Sequence, residues 1–271
     1  MPDIAHDPVQ AAAAQFVNAR LAARPLHTYP GAEPASMAAA YAVQDAAIRL
    51  WPDELAGWKV GLIQAPHRRR FGALRIAGPI FRQQIRRAGD APTELPVITG
   101  GFAAVEAEFV IAVAAAPPAG KTAWTPEEAD EYAGAMHIGV ELAGSPFAEI
   151  NDHGPAVTAS DFGNNAGLVL GGEIASWREA PLEGLTAEMR IDGASVGRGS
   201  AASIPGGPLA AFAFILGNCA ERGIAVRRGD LISTGAVTGV HTIAAAQEAE
   251  ADFGALGVIR CRTAPARSTQ P

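Results

Sequence analysis

The stretch Val105-Glu106-Ala107-Glu108-Phe109-Val110-Ile111-Ala112-Val113 constrains this chain more than any other. It predicts a strand, apolar but for two glutamates. Residues two apart on a strand project from one face, so Glu106 and Glu108 point the same way. At about 3.3 Å of rise per residue their Cα atoms lie roughly 7 Å apart, close enough for both carboxylates to reach one cation. Without a cation the two like charges repel and each loses hydration in a half-buried strand. The pattern therefore calls for a positive group between them. The alternative is a solvent-exposed face on which both acids pair with basic residues across the sheet.

Glu141 repeats the anomaly in Ile138-Gly139-Val140-Glu141-Leu142, a second short apolar stretch holding one acid. Lysine, the simplest partner for exposed glutamates, occurs only at Lys59 and Lys121. Both facts weigh against the exposed alternative. Three carboxylates suit octahedral Mg²⁺ or Mn²⁺, which prefer hard oxygen ligands. Zinc is less suited, because no histidine or cysteine accompanies them. Lys59 sits between Trp58 and Val60. Burial lowers an amine's pKa and neighbouring carboxylates raise it, so Lys59 reads as a proton donor or an electrostatic clamp. Its plainer reading is a structural ion pair with a glutamate.

Around these motifs the chain organises as an α+β domain. Residues 9–23 are alanine-rich with helical spacing, and Ser36 is placed to cap a second helix ending at Leu50. Residues 57–63, 104–113, 138–142, 167–170, 187–191, 231–233 and 248–262 read as extended, with turns at Asp192-Gly193 and at residues 254–257. Residues 207–222 read as a helix closed by Gly223. The expectation is an N-terminal helical lobe over residues 1–80, a β-rich domain over 81–262, and a disordered tail over 263–271. Regular strand-helix alternation and a nucleotide-binding glycine fingerprint are both missing, which argues against a doubly wound sheet.

The formal charge of -7 provides no general positive field for nucleic acid. One basic run, His67-Arg68-Arg69-Arg70, reads as a loop that is solvated or faces an anion. Cys219 and Cys261 lie in apolar contexts without metal-like spacing and read as small buried hydrophobes, fitting a reducing cytoplasm. Residues 1–6 carry no secretory pattern, and the longest apolar run is far short of a membrane span. A membrane role is not expected. His137 and His153 stand near the acids in sequence, but each reads more simply as a structural histidine.

Four segments occur in an order that is familiar: Gly57-Trp58-Lys59-Val60-Gly61, Val105-Glu106-Ala107-Glu108-Phe109, Gly139-Val140-Glu141-Leu142 and Gly229-Asp230-Leu231-Ile232-Ser233-Thr234-Gly235. Together they resemble the 2-keto-4-pentenoate hydratase group of the fumarylacetoacetate hydrolase superfamily, across residues 40–262. The segment Ala159-Ser160-Asp161-Phe162-Gly163-Asn164-Asn165 also resembles that group's acid-and-amide loop. The resemblance implies a mixed β-roll or sandwich like the superfamily's C-terminal domain, assembled as a homo-oligomer. It implies Glu106, Glu108 and Glu141 as ligands of Mg²⁺ or Mn²⁺, Lys59 and Asp161 as catalytic residues, and Asn165, Thr234 and Gly235 as substrate contacts.

The implied reaction takes a small 2-oxo or 2-hydroxydienoic acid, ketonises it and adds water, giving a 4-hydroxy-2-oxo acid. Decarboxylation of a 4-oxalocrotonate-type acid and C–C hydrolysis of an acylpyruvate share its enolate, and a non-catalytic metal or metabolite binder is the rival from outside enzymology. One departure concerns the segment after Gly78-Pro79-Ile80-Phe81. Relatives often carry an acid there, and this chain continues Arg82-Gln83-Gln84-Ile85. One of Arg68, Arg69 and Arg70 is expected to supply the missing contact or to bind a second anionic group.

Overall fold

In a computed structural model, residues 7–269 are described; the N-terminal hexapeptide read above and the last two residues of the tail lie outside them. Two helices open the fold, α1 (Pro8–Leu21) and α2 (Met37–Leu50). The Asp7 side chain accepts from the Val9 N–H at the start of α1, and Ser36 accepts from Ala39 N–H at the start of α2. Each cap satisfies a backbone donor that the first helical turn leaves unpaired. The strands β1 (Leu55–Leu62) and β2 (Arg75–Phe81) follow, joined through a short helix α3 (Ala65–Phe71) that ends at left-handed Gly72. The basic run thus lies on α3 and not in a loop, because Pro66 fits the first helical turn and Gly72 ends it.

Next come β3 (Ile85–Arg87), β4 (Thr93–Val97), β5 (Phe102–Val113), α4 (Pro126–Asp130), β6 (Ala133–Ser145), α5 (Pro155–Ser160) and β7 (Asn165–Glu173). The chain finishes with β8 (Thr186–Ile191), β9 (Ala194–Ser200), α6 (Gly207–Glu221), β10 (Leu231–Ala236), β11 (His241–Thr242), β12 (Glu248–Asp252) and β13 (Val258–Pro265). Two sheets result. The larger runs β2-β1-β10-β5-β6-β7-β3 with β11 added to β5, and the smaller runs β4-β13-β12-β8-β9.

The main core lies between the sheets and under α6, and includes Phe109, Ile138, Val140, Met189, Ala251 and Ile259. Phe109 and Phe253 meet edge to face across it with ring centroids 5.7 Å apart. On the other side α1 and α2 bury Ala13, Val17, Val43 and Ala47 with Phe81 and Phe162. Cys219 and Cys261 are buried as expected, and burial pushes both thiols up to about 12.

Two boundaries differ from expectation. β1 and β2 fall within the first 80 residues yet belong to the larger sheet, so the helical part is residues 8–50. The tail is not disordered at its start: β13 extends to Pro265, pairing in parallel with β4, and the Thr269 N–H donates to Leu21 O. Thr263 is buried and hydrogen-bonds Ala244 and Gln247, which anchors this segment.

Candidate active site

The site grows from the pairing of β5 with β6. Their antiparallel register sets Glu106 directly opposite Glu141 and Glu108 opposite Gly139. A Cβ at Gly139 would fall 2.7 Å from Val110 Cγ2, so glycine suits the position opposite Glu108. Glu108 and Glu141 are fully buried and Glu106 nearly so, which rules out the exposed face considered above. One carboxylate oxygen from each of the three lies within 4.8 Å of the others.

β10 completes one side of the cluster. Its pairing with β5 breaks register between Ser233 and Ala236, and the irregular stretch between them includes Gly235 at φ +121. Such a φ disfavours a Cβ, so glycine suits the bulge. The bulge turns the Gly235 N–H onto Glu108 Oε2 at 2.9 Å, where the Ser233 hydroxyl also donates at 2.5 Å. The other side is held by the Asn165 amide, which donates to Glu141 Oε1 at 3.1 Å.

Lys59 arrives from β1. Its ammonium is 3.3 Å from Glu141 Oε1 and donates to Asn164 Oδ1 at 3.0 Å. Burial opposes its charge, but Glu141, Glu106 and Glu108 together outweigh burial and hold its pKa above the ordinary value. Desolvation pushes the Glu106 carboxyl up to about 7; Lys59 pulls it down and Glu141 adds to the rise. Glu108 is raised well above the carboxylate range, by desolvation first and then by Glu141 and Glu106, against the Ser233 hydrogen bond and Lys59. A single ammonium therefore does not balance three buried acids.

Glu108 Oε1 and Glu141 Oε2 are buried without a hydrogen-bond partner. Orphaned carboxylate oxygens carry a heavy desolvation cost unless something electropositive meets them. The donor set is all carboxylate oxygen, so the residues present fit a hard divalent cation such as Mg²⁺ or Mn²⁺ and suit zinc poorly.

A cavity of about 520 Å³ opens onto this cluster, with Lys59, Glu106, Asn164 and Thr234 in its lining. Glu108 and Glu141 are not in that lining. Asn164 carries no site signal of its own in sequence, and the local backbone explains its place. Phe162, Gly163 and Asn164 are consecutively left-handed, at φ +55, +58 and +57. A non-glycine residue pays for that conformation with strain of order 1 kcal/mol or more. Phe162 is held by ring contacts with Phe81 and Trp51 and by the Arg20 guanidinium over its face. Gly78 lacks the Cβ that would fall 2.1 Å from Phe162 O, so this turn can rest on β2 and present Asn164 to Lys59.

Four residues given roles by the resemblance, Asp161, Asn165, Thr234 and Gly235, make hydrogen bonds within the protein. Asp161 accepts from Arg20 at 2.6 and 2.9 Å and from the Ser145 hydroxyl at 2.6 Å, so both oxygens are engaged and neither faces the cavity. Arg20 also donates to Asn165 O and Gly144 O, making this buried pair a clamp between α1 and the strand ends. Asn165 lies outside the cavity lining and orients Glu141. Thr234 and Gly235 do line the cavity, but the hydroxyl donates to Phe109 O and the N–H to Glu108. Neither donor is spare for a substrate carboxylate.

The histidines and basic run resolve in the same way. His137 lies 3.3 Å from Gly171 O, and His153 bridges Glu33 and Glu149 on the surface; neither lines the cavity. Arg68, Arg69 and Arg70 are also outside that lining, whereas His67 and Arg75 are part of it.

Neither a family model nor a curated protein sequence matches this chain. Solved structures do. The 4-oxalocrotonate decarboxylase of Pseudomonas putida G7, complexed with calcium and acetate, is similar at a TM-score of 0.78 and 22% identity, over 94% of this chain and 96% of its own. The same enzyme complexed with magnesium and adipate gives the same score. Fumarylpyruvate hydrolase of Pseudomonas aeruginosa, in complex with Mn²⁺ and pyruvate, is similar at 0.55 and 18% identity, over 77% of this chain and 88% of its own. The chain has the α+β fold of the fumarylacetoacetate hydrolase superfamily. No membrane-spanning helix occurs among the described residues.

Proposed function

We propose that this chain is a divalent-metal-dependent enzyme that hydrates a small 2-hydroxydienoic or 2-oxo-4-pentenoic acid to a 4-hydroxy-2-oxo acid. One observation carries the reading: three buried carboxylates converge, with two oxygens unsatisfied, beside a charged lysine at the floor of a cavity. Glu106, Glu108 and Glu141 would hold Mg²⁺ or Mn²⁺, the type of ion with which the similar decarboxylase and hydrolase structures are complexed. Bound there, the cation would supply Lewis-acid stabilisation of negative charge on the 2-oxygen of the substrate.

The chain's own residues do the rest. Lys59, kept protonated by the acids around it, places positive charge and a transferable proton at the cavity floor. Asn164 fixes the direction of that ammonium, and Asn151 fixes Asn164 in turn by accepting from its amide at 3.1 Å. Val60, Ile76 and Ile204 give the cavity apolar walls that accommodate a diene and limit water. In the proposed reaction the enol proton leaves the 2-oxygen and a proton is added at C5; water then adds its oxygen at C4 and a proton at C3. Homo-oligomeric assembly and a cytoplasmic setting belong to the same proposal.

Decarboxylation is the second reading, and one observation favours it. Among the described residues Glu106 is the sole carboxylate lining the cavity, so no acid outside the cation-binding set stands ready to activate water. Loss of CO₂ needs no such base. Incubation with Mg²⁺ and 2-hydroxypenta-2,4-dienoate separates the possibilities: hydration bleaches the dienoate absorbance and yields 4-hydroxy-2-oxopentanoate, and Glu108→Ala abolishes it. Release of CO₂ from 4-oxalocrotonate, without hydration of the dienoate, would establish the second reading. No turnover of dienoates, oxalocrotonates or acylpyruvates would leave a metal or metabolite binder.

A further inference from the structure

Gln44 of α2 is fully buried, and both ends of its amide are engaged. Its Nε2 donates to Ala77 O at 2.8 Å and to Ala159 O at 2.6 Å, and its Oε1 accepts from Arg222 at 2.7 Å. One side chain thus ties together β2, α5 and the C-cap of α6. Arg222 is itself fixed, by Asp45 and Asn218 and by stacking over Tyr41 and Trp58. A buried polar network that is satisfied in this way specifies one arrangement of the elements it joins.

The two carbonyls that Gln44 holds support the left-handed turn at residues 162–164. Ala159 lies just before that turn in the chain. Ala77 precedes Gly78, on which the turn rests: a Cβ on Gly163 would fall 3.2 Å from Ala77 O and 3.0 Å from Gly78 Cα. α2 also supplies Tyr41, whose hydroxyl accepts from the Ala77 N–H at 3.0 Å, so both backbone groups of Ala77 are bound to this helix. β2 is an edge strand of the larger sheet, and partners of this kind fix an open edge. The backbone at Phe162 and Asn164 is strained, and such strain persists only where the surroundings over-determine it. Asn164, which ends the turn, carries the acceptor that Lys59 meets at 3.0 Å.

Resting on the reading of the previous subsection, we propose that Gln44 is a positioning residue of the reaction: it holds both supports of the 162–164 turn, and through Asn164 it sets the direction of the Lys59 ammonium. Among the described residues Gln44 has no hydrogen bond to Lys59 or Asn164, and it does not line the cavity. Its effect is geometric. A misplacement of about 1 Å at a reacting group can cost about 100-fold in rate. The helical pair α1 and α2 then has a role beyond core packing. Arg20 of α1 holds the backbone oxygens of Asp161 and Asn165 on the two sides of the turn, and Gln44 of α2 holds what lies beneath it.

The test uses the intact chain with Mg²⁺ and 2-hydroxypenta-2,4-dienoate, comparing the wild type with Gln44→Glu, Asn164→Ala and the double variant. An ionised carboxylate at position 44 keeps the acceptor for Arg222 but has no donor, so two carbonyl oxygens would face negative charge. Gln44→Glu should lower kcat by about 10- to 100-fold with KM little changed. Gln44→Asn, which keeps both donors on a shorter arm, should recover part of that loss. The double variant should be no slower than Asn164→Ala, because residues that act along one path do not add. Met189→Ala, a core truncation in the smaller sheet, controls for lost stability and should keep kcat. Unchanged kcat in Gln44→Glu, or full additivity with Asn164→Ala, would overturn the proposal. Gln44→Met puts no charge in the core and makes the same comparison should Gln44→Glu not fold. A crystal structure of either variant reads the geometry without turnover. Asn164 Oδ1 beyond hydrogen-bond distance of Lys59 Nζ supports the assignment, and an unmoved turn contradicts it. A wild type that does not turn over the dienoate would remove the hydration reading, and the crystallographic comparison would still decide whether Gln44 places Asn164.

Discussion

The Lys59 ammonium stands 3.3 Å from Glu141 Oε1 although two strands, β10 and β5, lie between β1 and β6. A flat sheet with strands about 4.8 Å apart would separate the backbones by roughly 14 Å, so the reach depends on the curl of the sheet and the length of both side chains. Lys59→Met removes the charge and the donor. We predict a kcat loss of about 100- to 10,000-fold, the range of a general acid. Cation affinity should not fall, because a competing positive charge has gone. Steady-state kinetics beside Mn²⁺ titration checks both halves.

The acid cluster makes stability without metal depend on pH in a direction opposite to that of an ordinary salt-bridged carboxylate. Glu106 has its folded pKa raised to about 7 from 4.5, and Glu108 is raised as well. The folded state therefore holds more protons than the unfolded state between these values, and stability falls as pH rises through that window. For Glu106 alone the change is about 3 kcal/mol. Denaturant unfolding in chelator should show a more stable protein at pH 5 than at pH 8, other groups being equal. Glu108→Gln should reduce the difference.

A cation reverses that trend. It requires the ionised acids, so Mg²⁺ or Mn²⁺ should raise the melting temperature more at pH 8 than at pH 6, with protons released on binding. Thermal scans at several metal concentrations would show a shift that grows with concentration at pH 8. A pH-independent shift would contradict the carboxylate site.

Asp161 is predicted to act through structure. Asp161→Ala leaves Arg20 buried without its carboxylate and should cost about 3–5 kcal/mol of stability. The double variant Arg20→Met, Asp161→Leu should recover most of that loss. A catalytic role would instead appear as a kcat defect persisting in the stable double variant.

Gly235→Ala places a Cβ at φ +121 and 3.4 Å from Val60 O. The expected destabilisation is about 1–3 kcal/mol. Because the Gly235 N–H holds Glu108, cation affinity should weaken as well, which substitution of a surface glycine such as Gly193 would not produce.

Much of this site was legible in sequence because its signals are local. Glu106 and Glu108 share a face through the strand period alone, and Glu141 was conspicuous as an acid among apolar neighbours. The segments 104–113 and 231–233 fell within observed strands, and Ser36 caps α2 as its side chain and position suggest. What could not be read were long-range pairings. Asp161 looks like a free acid until Arg20, far off in sequence, is brought against it. Thr234 and Gly235 look like spare donors until the bulge turns them onto β5. Asn164 carries little signal beyond its neighbour Gly163, since the left-handed turn that aims it depends on packing of Phe162. β2 carries a weak sequence signal, because glycine and proline at Gly78-Pro79 are both disfavoured inside strands. Its glycine in fact admits the Phe162 loop, and Pro79 has no N–H to give the ladder. Burial, which no local pattern shows, distinguishes Arg75 from the neighbouring arginine run.

Titration of the metal-free protein with Mn²⁺ at pH 8, by calorimetry and by the loss of the free-ion electron paramagnetic resonance signal, tests the cluster most directly. We predict saturable binding that includes one ion per chain at the three glutamates, and loss of that ion in Glu108→Gln and in Glu141→Gln with the fold intact by circular dichroism. Absence of saturable binding, or binding that survives in both variants unchanged, would contradict a cation site built from Glu106, Glu108 and Glu141.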